Sequence, residues 1–298
     1  MIEGFAHSVY FAPRGKDRLM LLGNSIAHRY LLSNDILIAL IGDAGAGKSL
    51  LIKGMFPGLI LTNDDEGINT RPLPVLSDYR EGKFNSHTYH VDIRFENAFT
   101  QSWQLAEAVE KAVRKGRRVV VEHFDLIEKH LDISPELLIG IGEEVIVTRP
   151  GVFGPFSAEI AKIVYKSIKY RRMTHTAEDL TAMAIEKRGY LRPPIHSDVK
   201  NGFVFQFREK PDLLIEQIEK EVKAMVDEDL KVSYHDDEHI IIGGTKYPCT
   251  GPRIHVRRTG NLEGFRLLAD FIIDPKTGDH LLVGLVGKED SQFQLSHI

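Results

Sequence analysis

The sequence predicts an α/β domain, a parallel sheet with crossover helices, followed by an α+β domain. Three observations predict it. The 298 residues are about twice the usual domain length. Strand-like apolar runs alternate with helix-like runs through the first half. Past a stretch rich in proline and glycine at 149–155 (RPGVFGP), that alternation stops. The expected domains are 1–156 and 157–298.

In the first half, 36–41 (ILIALI) reads as a buried strand entering a glycine loop, and 49–55 as the helix leaving it. Residues 59–62 (LILT) read as a second strand ending at Asp64, Asp65 and Glu66, and 90–93 as a third. Apolar residues at helical spacing over 102–115, with Gly116 as a stop signal, predict a helix. Residues 118–121 (RVVV) form a strand running into Glu122, and 144–148 (EVIVT) another. In the second half the pattern predicts helices over 157–170, 176–187 and 211–227, a strand over 202–208, and short strands after that.

Composition narrows the function classes. A net charge of −4 provides no global field to recruit nucleic acid, so any RNA contact must come from a local patch. The single cysteine, Cys249, forms no intrachain disulfide and fits a reducing compartment. The N-terminus lacks an apolar core of signal-peptide length, and 36–41 is too short to span a bilayer. A cytoplasmic protein with no membrane partner is expected.

The loop Gly42-Asp43-Ala44-Gly45-Ala46-Gly47-Lys48-Ser49 matches G-x-x-x-x-G-K-[ST], with Leu50 continuing into the helix. Its glycines let backbone N–H groups turn around phosphates. Lys48 brings a point charge to the β/γ oxygens, and the Ser49 hydroxyl is a Mg²⁺ ligand. The helix that follows aims its positive end at the anion. The expected cofactor is ATP or GTP with Mg²⁺. Glu122, past VVV, is the carboxylate expected beside the metal, with Asp125 in reserve. LTNDDEG and VVVEHFD resemble the arrangement in uridine-kinase-like P-loop kinases. That resemblance implies a base, Asp64 or Asp65, toward an acceptor hydroxyl. His90, His123 and His130 are expected to be structural or surface residues.

In the second half, RRMTHTAEDL places His175 and Asp179 four apart on one helical face, and KYPCTGPRIHVRRTGNLEGF carries Cys249 and His255. Four such donors in two pairs are compatible with a Zn²⁺ site. HTAEDL resembles the H-T-A-x-H-L-L motif of the alanyl-tRNA synthetase second additional domain, shared with free-standing AlaX editing proteins. YPCTGPRIHVRRTGNLEGF resembles that family's C-G-G-T-H-V-x-x-T-G-x-I-x-G-F. The resemblance spans about 168–287. It implies Zn²⁺ held by His175, Asp179, Cys249 and His255, and hydrolysis of serine or glycine wrongly esterified to alanine tRNA. The sequence departs from the family at two points: an Asp stands at 179 for the second His, and Cys-x₅-His replaces Cys-x₃-His. Glu178 is a possible general base, although a helical position facing solvent is the simpler expectation. Lys169, Arg171 and Arg172, with Arg253, Arg257 and Arg258, are expected to form a basic rim for acceptor-stem phosphates.

The functional expectation is therefore a nucleotide-binding protein acting on aminoacyl-tRNA or a related amino-acid ester, by metal-assisted deacylation gated by nucleotide. Its rivals are a small-molecule kinase and a nucleotide-switched RNA-binding or sensor protein.

Overall fold

The computed structural model describes residues 7–62, 71–151, 154–192, 196–251 and 253–287. Contacts divide the chain into two units, 1–12 with 16–167, and 13–15 with 168–298. The division falls inside a helix rather than at 156/157, and the tripeptide Pro13–Gly15 belongs to the second unit.

The first unit is built on a six-stranded sheet in the order β1-β6-β5-β2-β4-β3. Its strands are β1 (His7–Phe11), β2 (Leu37–Gly42), β3 (Thr88–Asp92), β4 (Arg118–Glu122), β5 (Leu137–Ile141) and β6 (Glu144–Thr148). Strands β5, β2, β4 and β3 are mutually parallel, whereas β6 runs antiparallel to both of its neighbours, β5 and β1. The sheet is therefore mixed. The reason is local: β5 and β6 are joined by only Gly142 and Glu143, too short a link for a crossover. Every residue of β2 is buried, as expected for a strand covered on both faces.

The helices are α1 (Lys16–Tyr30), α2 (Lys48–Met55), α3 (Pro74–Glu81), the single turn α4 (Ile93–Glu96) and α5 (Ser102–Arg114). Helix α5 buries Leu105, Ala106, Ala108, Val109 and Ala112 on one face. It stops at Gly116, whose φ of +71° suits the left-handed turn after a helix end. Helices α1 and α2 cross at two glycines. A Cβ on Gly23 would collide with the Leu51 carbonyl, and one on Gly54 with the Met20 carbonyl. The expected strand at 59–62 is absent, since those residues make no ladder. The second parallel strand in sequence is β3, which ends at Asp92.

Residues 157–186 form one continuous helix, α6 (Ser157–Glu186), instead of two. No glycine or proline interrupts 170–176, and Thr176 Oγ1 donates to the Arg172 carbonyl within the helix at 2.9 Å.

In the second unit, β7 (His196–Val199), β8 (Gly202–Phe207), β12 (Arg266–Leu267), β13 (Ile272–Ile273) and β14 (His280–Leu285) make one antiparallel sheet. Strands β9 (Val232–Asp236), β10 (His239–Ile242) and β11 (Thr245–Pro248) make another. Helix α7 (Ile215–Asp227) contributes Ile215, Ile218, Val222 and Met225 to a core shared with Met173, Ala177, Leu180 and Phe205. The second unit thus combines two small antiparallel sheets with helices. Among the described residues, no helix is long and apolar enough to cross a membrane.

Candidate functional sites

The first site lies at the C-terminal end of β2. The chain leaves the sheet at Gly42, turns through Gly45 (φ +76°) and Gly47 (φ +102°), and enters α2 at Lys48. A side chain at Gly42 would meet Ile141 at 2.6 Å, and one at Gly47 would meet Leu19 at 2.7 Å. Glycine is thus required at Gly42 by space, where the Ile141 carbonyl oxygen also stands at 2.8 Å, and at Gly47 by backbone conformation. The result is a row of backbone N–H groups from Ala44 to Leu50 at a helix start.

Lys48 is buried, and its Nζ donates to the Asp43 carbonyl at 3.0 Å while lying 3.8 Å from Glu122 Oε2. Burial lowers the Lys48 ammonium below its ordinary range, partly offset by Glu122, Asp92 and Asp43. Glu122, the last residue of β4, accepts from Ser49 Oγ at 2.9 Å. Burial would raise its carboxyl, but the His90 bond, the charge of Lys48 and the Ser49 bond overcome this and hold it at about 2. Glu122 is therefore ionised at neutral pH, 2.9 Å from the hydroxyl expected to face Mg²⁺. Ser49 and Glu122 together fit a hard divalent cation, which prefers oxygen donors. Asp125, the reserve carboxylate, instead accepts from Tyr165 Oη at 3.0 Å.

His90, expected to be a structural or surface residue, is buried against Glu122. Its Nδ1 accepts the Thr62 backbone N–H at 3.1 Å, and its Nε2 lies 3.1 Å from Glu122 Oε1. A backbone amide can only donate, so Nδ1 must be the acceptor and Nε2–H points at the carboxylate. His90 thereby fixes the orientation of Glu122. The available signal was a histidine in the middle of a strand, between Tyr89 and Val91, where an interior polar group must find a partner. His123 is also buried, with its pKa lowered to about 4 by burial and by Lys48. His130 lies in a short 3₁₀ turn apart from these residues.

Asp64 and Asp65 fall outside the described residues. The carboxylate at the end of the actual second parallel strand is Asp92, in register with Glu122 across β3 and β4. Its Oδ1 accepts the Phe95 N–H at 3.1 Å, capping α4.

The second site lies within the second unit. Ligand atoms of Asp179, Cys249 and His255 all come within 4.8 Å of one another. His255 Nε2 is 2.8 Å from Asp179 Oδ2 and 3.8 Å from Cys249 Sγ. The Cys-x₅-His spacing therefore still brings these two ligands to Asp179. The fourth expected ligand, His175, stands near them, its ring centroid 6.2 Å from that of His255. Its Nδ1 has no hydrogen-bond partner among the described residues, and burial followed by the nearby arginines Arg14 and Arg171 keeps the ring neutral.

Two arginines that sequence reasoning did not single out complete the cluster. Arg14 Nη2 reaches Asp179 Oδ2 at 2.5 Å and Cys249 Sγ at 3.0 Å, while Nη1 reaches Glu178 Oε2 at 2.7 Å. Arg192 Nη2 bonds the other oxygens of the same pair, Glu178 Oε1 at 2.9 Å and Asp179 Oδ1 at 2.8 Å. Burial would raise the Asp179 carboxyl, but Arg14, His255 and Arg192 hold it well below the usual carboxylate range. Glu178 does not face solvent: it is fully buried, and both its oxygens are held by arginines. Two members of the expected basic rim are engaged within the unit. Arg171 is buried and donates to the Pro13 carbonyl, and Arg258 is bound by Asp229.

Whether this donor set fits zinc is decided by charge. Two adjacent buried carboxylates need two positive charges, and Arg14 and Arg192 already supply them. A divalent ion would bring two more charges, next to a guanidinium already bonded to two of its ligands. The arrangement does not fit zinc.

No family model matches this chain, and no curated protein does. Among solved structures, an SPT variant with PLP superposes at a TM-score of 0.26 and 11% identity, covering 95% of this chain and 68% of that one. An acetylornithine aminotransferase from Elizabethkingia anophelis gives 0.21 and 12%, covering 84% and 71%. An ornithine aminotransferase from Toxoplasma gondii ME49 gives 0.23 and 11%, covering 85% and 70%. Scores this low do not establish a common fold, and they bear on neither site.

Proposed function

We propose that this chain binds a nucleoside triphosphate with Mg²⁺ at the loop 42–50 and acts on its γ-phosphoryl group. The observation that carries the reading is the Ser49–Glu122 bond beside a buried Lys48, at the start of a helix that follows a glycine-lined turn. Backbone N–H groups of the loop cradle the phosphates, and Lys48 exchanges the Asp43 carbonyl for phosphate oxygens. Ser49 and Glu122, the latter steadied by His90, are the residues that would hold Mg²⁺. Mg²⁺ held there would supply positive charge to the phosphate oxygens. The test is calorimetric titration of ATP and of GTP in Mg²⁺. Binding that vanishes in Lys48→Ala is expected, and equal binding by the variant would reject the site.

A second reading concerns the second unit alone, and is favoured by the convergence of Asp179, Cys249 and His255. It recognises an amino-acid ester or the end of an aminoacyl-tRNA. Because two arginines already balance the buried carboxylates, recognition fits better than metal-assisted deacylation. Serine- or glycine-charged alanine tRNA is expected to bind without being hydrolysed faster than in a Cys249→Ala control. Hydrolysis above that control would restore the deacylase reading.

A further inference from the structure

We infer that Arg14 is the resident cation of the second unit's cluster and excludes a divalent metal from Asp179, Cys249 and His255. Its guanidinium stands where the resemblance would put Zn²⁺. Three features carry the inference. The first is geometry. Arg14 Nη2 alone touches Asp179 Oδ2 and Cys249 Sγ, two of the three atoms that converge as metal donors. The second is burial: the side chains of Arg14, Glu178 and Asp179 are wholly inaccessible, so none of the three charges can be screened by water. The third is the fit of the loops around it. Arg14 Nη1 also donates to the His175 carbonyl at 3.3 Å, and a Cβ on Gly251 would stand 3.2 Å from Arg14 Cγ. Gly251 returns its own N–H to Cys249 Sγ at 3.3 Å, so the sulfur accepts from both sides. A guanidinium is a planar fork that satisfies several acceptors at once, whereas a tetrahedral ion would need the same lone pairs to point inward.

The changed motif follows from this. Asp at 179 provides two oxygens, one for each arginine, while the family's histidine at that place would offer neither a second acceptor nor a negative charge. Arg14 thus accounts for the departure that the resemblance leaves unexplained. The inference is independent of the nucleotide reading, and its test contains no nucleotide.

The experiment is zinc analysis of the purified full-length chain, together with Co²⁺ titration followed by the thiolate-to-cobalt absorption band. The wild-type chain is expected to carry no stoichiometric zinc and to show no such band. Arg14→Ala is expected to bind one Co²⁺ at least roughly 100-fold more tightly, with a band that disappears in Arg14→Ala/Cys249→Ser. Arg14→Lys, which keeps the charge, is expected to stay silent. One equivalent of zinc in the wild-type chain, or a Cys249-dependent band in it, overturns the inference. A folded Arg14→Ala chain without a band overturns it as well. If Arg14→Ala does not fold, the wild-type and Arg14→Lys measurements decide, silence supporting the inference and a band refuting it.

Discussion

Replacing Glu122 by glutamine keeps the shape of the side chain and removes its charge, and the geometry predicts opposite effects on two forms of the nucleotide. The Lys48 ammonium lies 3.8 Å from Glu122 Oε2. At an effective dielectric constant of about 20, that pair is worth about 4 kcal/mol. Metal-free ATP must compete with Glu122 for Lys48 and is also repelled by the carboxylate. In Glu122→Gln both handicaps go, and part of that energy returns as a Kd roughly 3- to 10-fold lower. The magnesium complex behaves in the other direction. It loses a charged acceptor for its water shell, a loss of about 1.5–3 kcal/mol, so its Kd rises roughly 10- to 100-fold. Calorimetry with ATP in EDTA and then in excess Mg²⁺ separates the two, with circular dichroism confirming the fold. Equal weakening under both conditions would mean that Glu122 only supports the loop, and the reasoning would fail.

Three further outcomes are expected. His90→Asn removes the N–H that orients Glu122 without touching Lys48, so Mg²⁺-nucleotide affinity should fall about 3- to 10-fold while metal-free affinity stays unchanged; an equal fall in both would show general loosening. His123 has its pKa lowered to about 4 from an ordinary 6.5, so the unfolded chain binds the extra proton between those values. Stability is therefore complete above pH 6.5 and falls by about 3 kcal/mol as pH drops to 4; His123→Asn, which suits the φ of +57°, should flatten that part of a urea-denaturation pH profile. Gly54→Ala should cost about 2–3 kcal/mol by pushing α2 from α1, read as a lowered urea midpoint of the first unit, and an unchanged midpoint would show the helices can part freely.

How much of this was legible in the sequence depends on the distance over which each feature is set. The glycine loop is local: eight consecutive residues carry the spacing, and the structure turns them where the glycines require. Glu122 was legible because a run of three valines announces the strand that carries it. The short run at 59–62 carried the same apolar signal, yet it makes no ladder, and the described strand end beside Glu122 is that of Asp92. Apolar content alone cannot tell a strand from a buried connection. Cys249 and His255 were identified from their motif, and the structure does bring them to Asp179. Arg14 could not be identified in this way. It lies between β1 and α1 in a polar stretch that reads as an ordinary turn, and its side-chain partners Glu178, Asp179 and Cys249 are 164, 165 and 235 residues away. Only tertiary structure gives it meaning.

The glycine crossing of α1 and α2 has a consequence for how this protein can be altered. Both close approaches are to backbone carbonyls, so no trimming of a neighbouring side chain could compensate for a bulkier residue at Gly23 or Gly54. The one remaining adjustment is for α1 to move outward as a rod, which would draw Leu19 away from Gly47. The accuracy of the loop is thus inherited from a helix none of whose residues belongs to it. Insertions or bulky substitutions within α1 are accordingly the changes to avoid when this chain is engineered, and variation in that helix should be read as variation in the glycine loop.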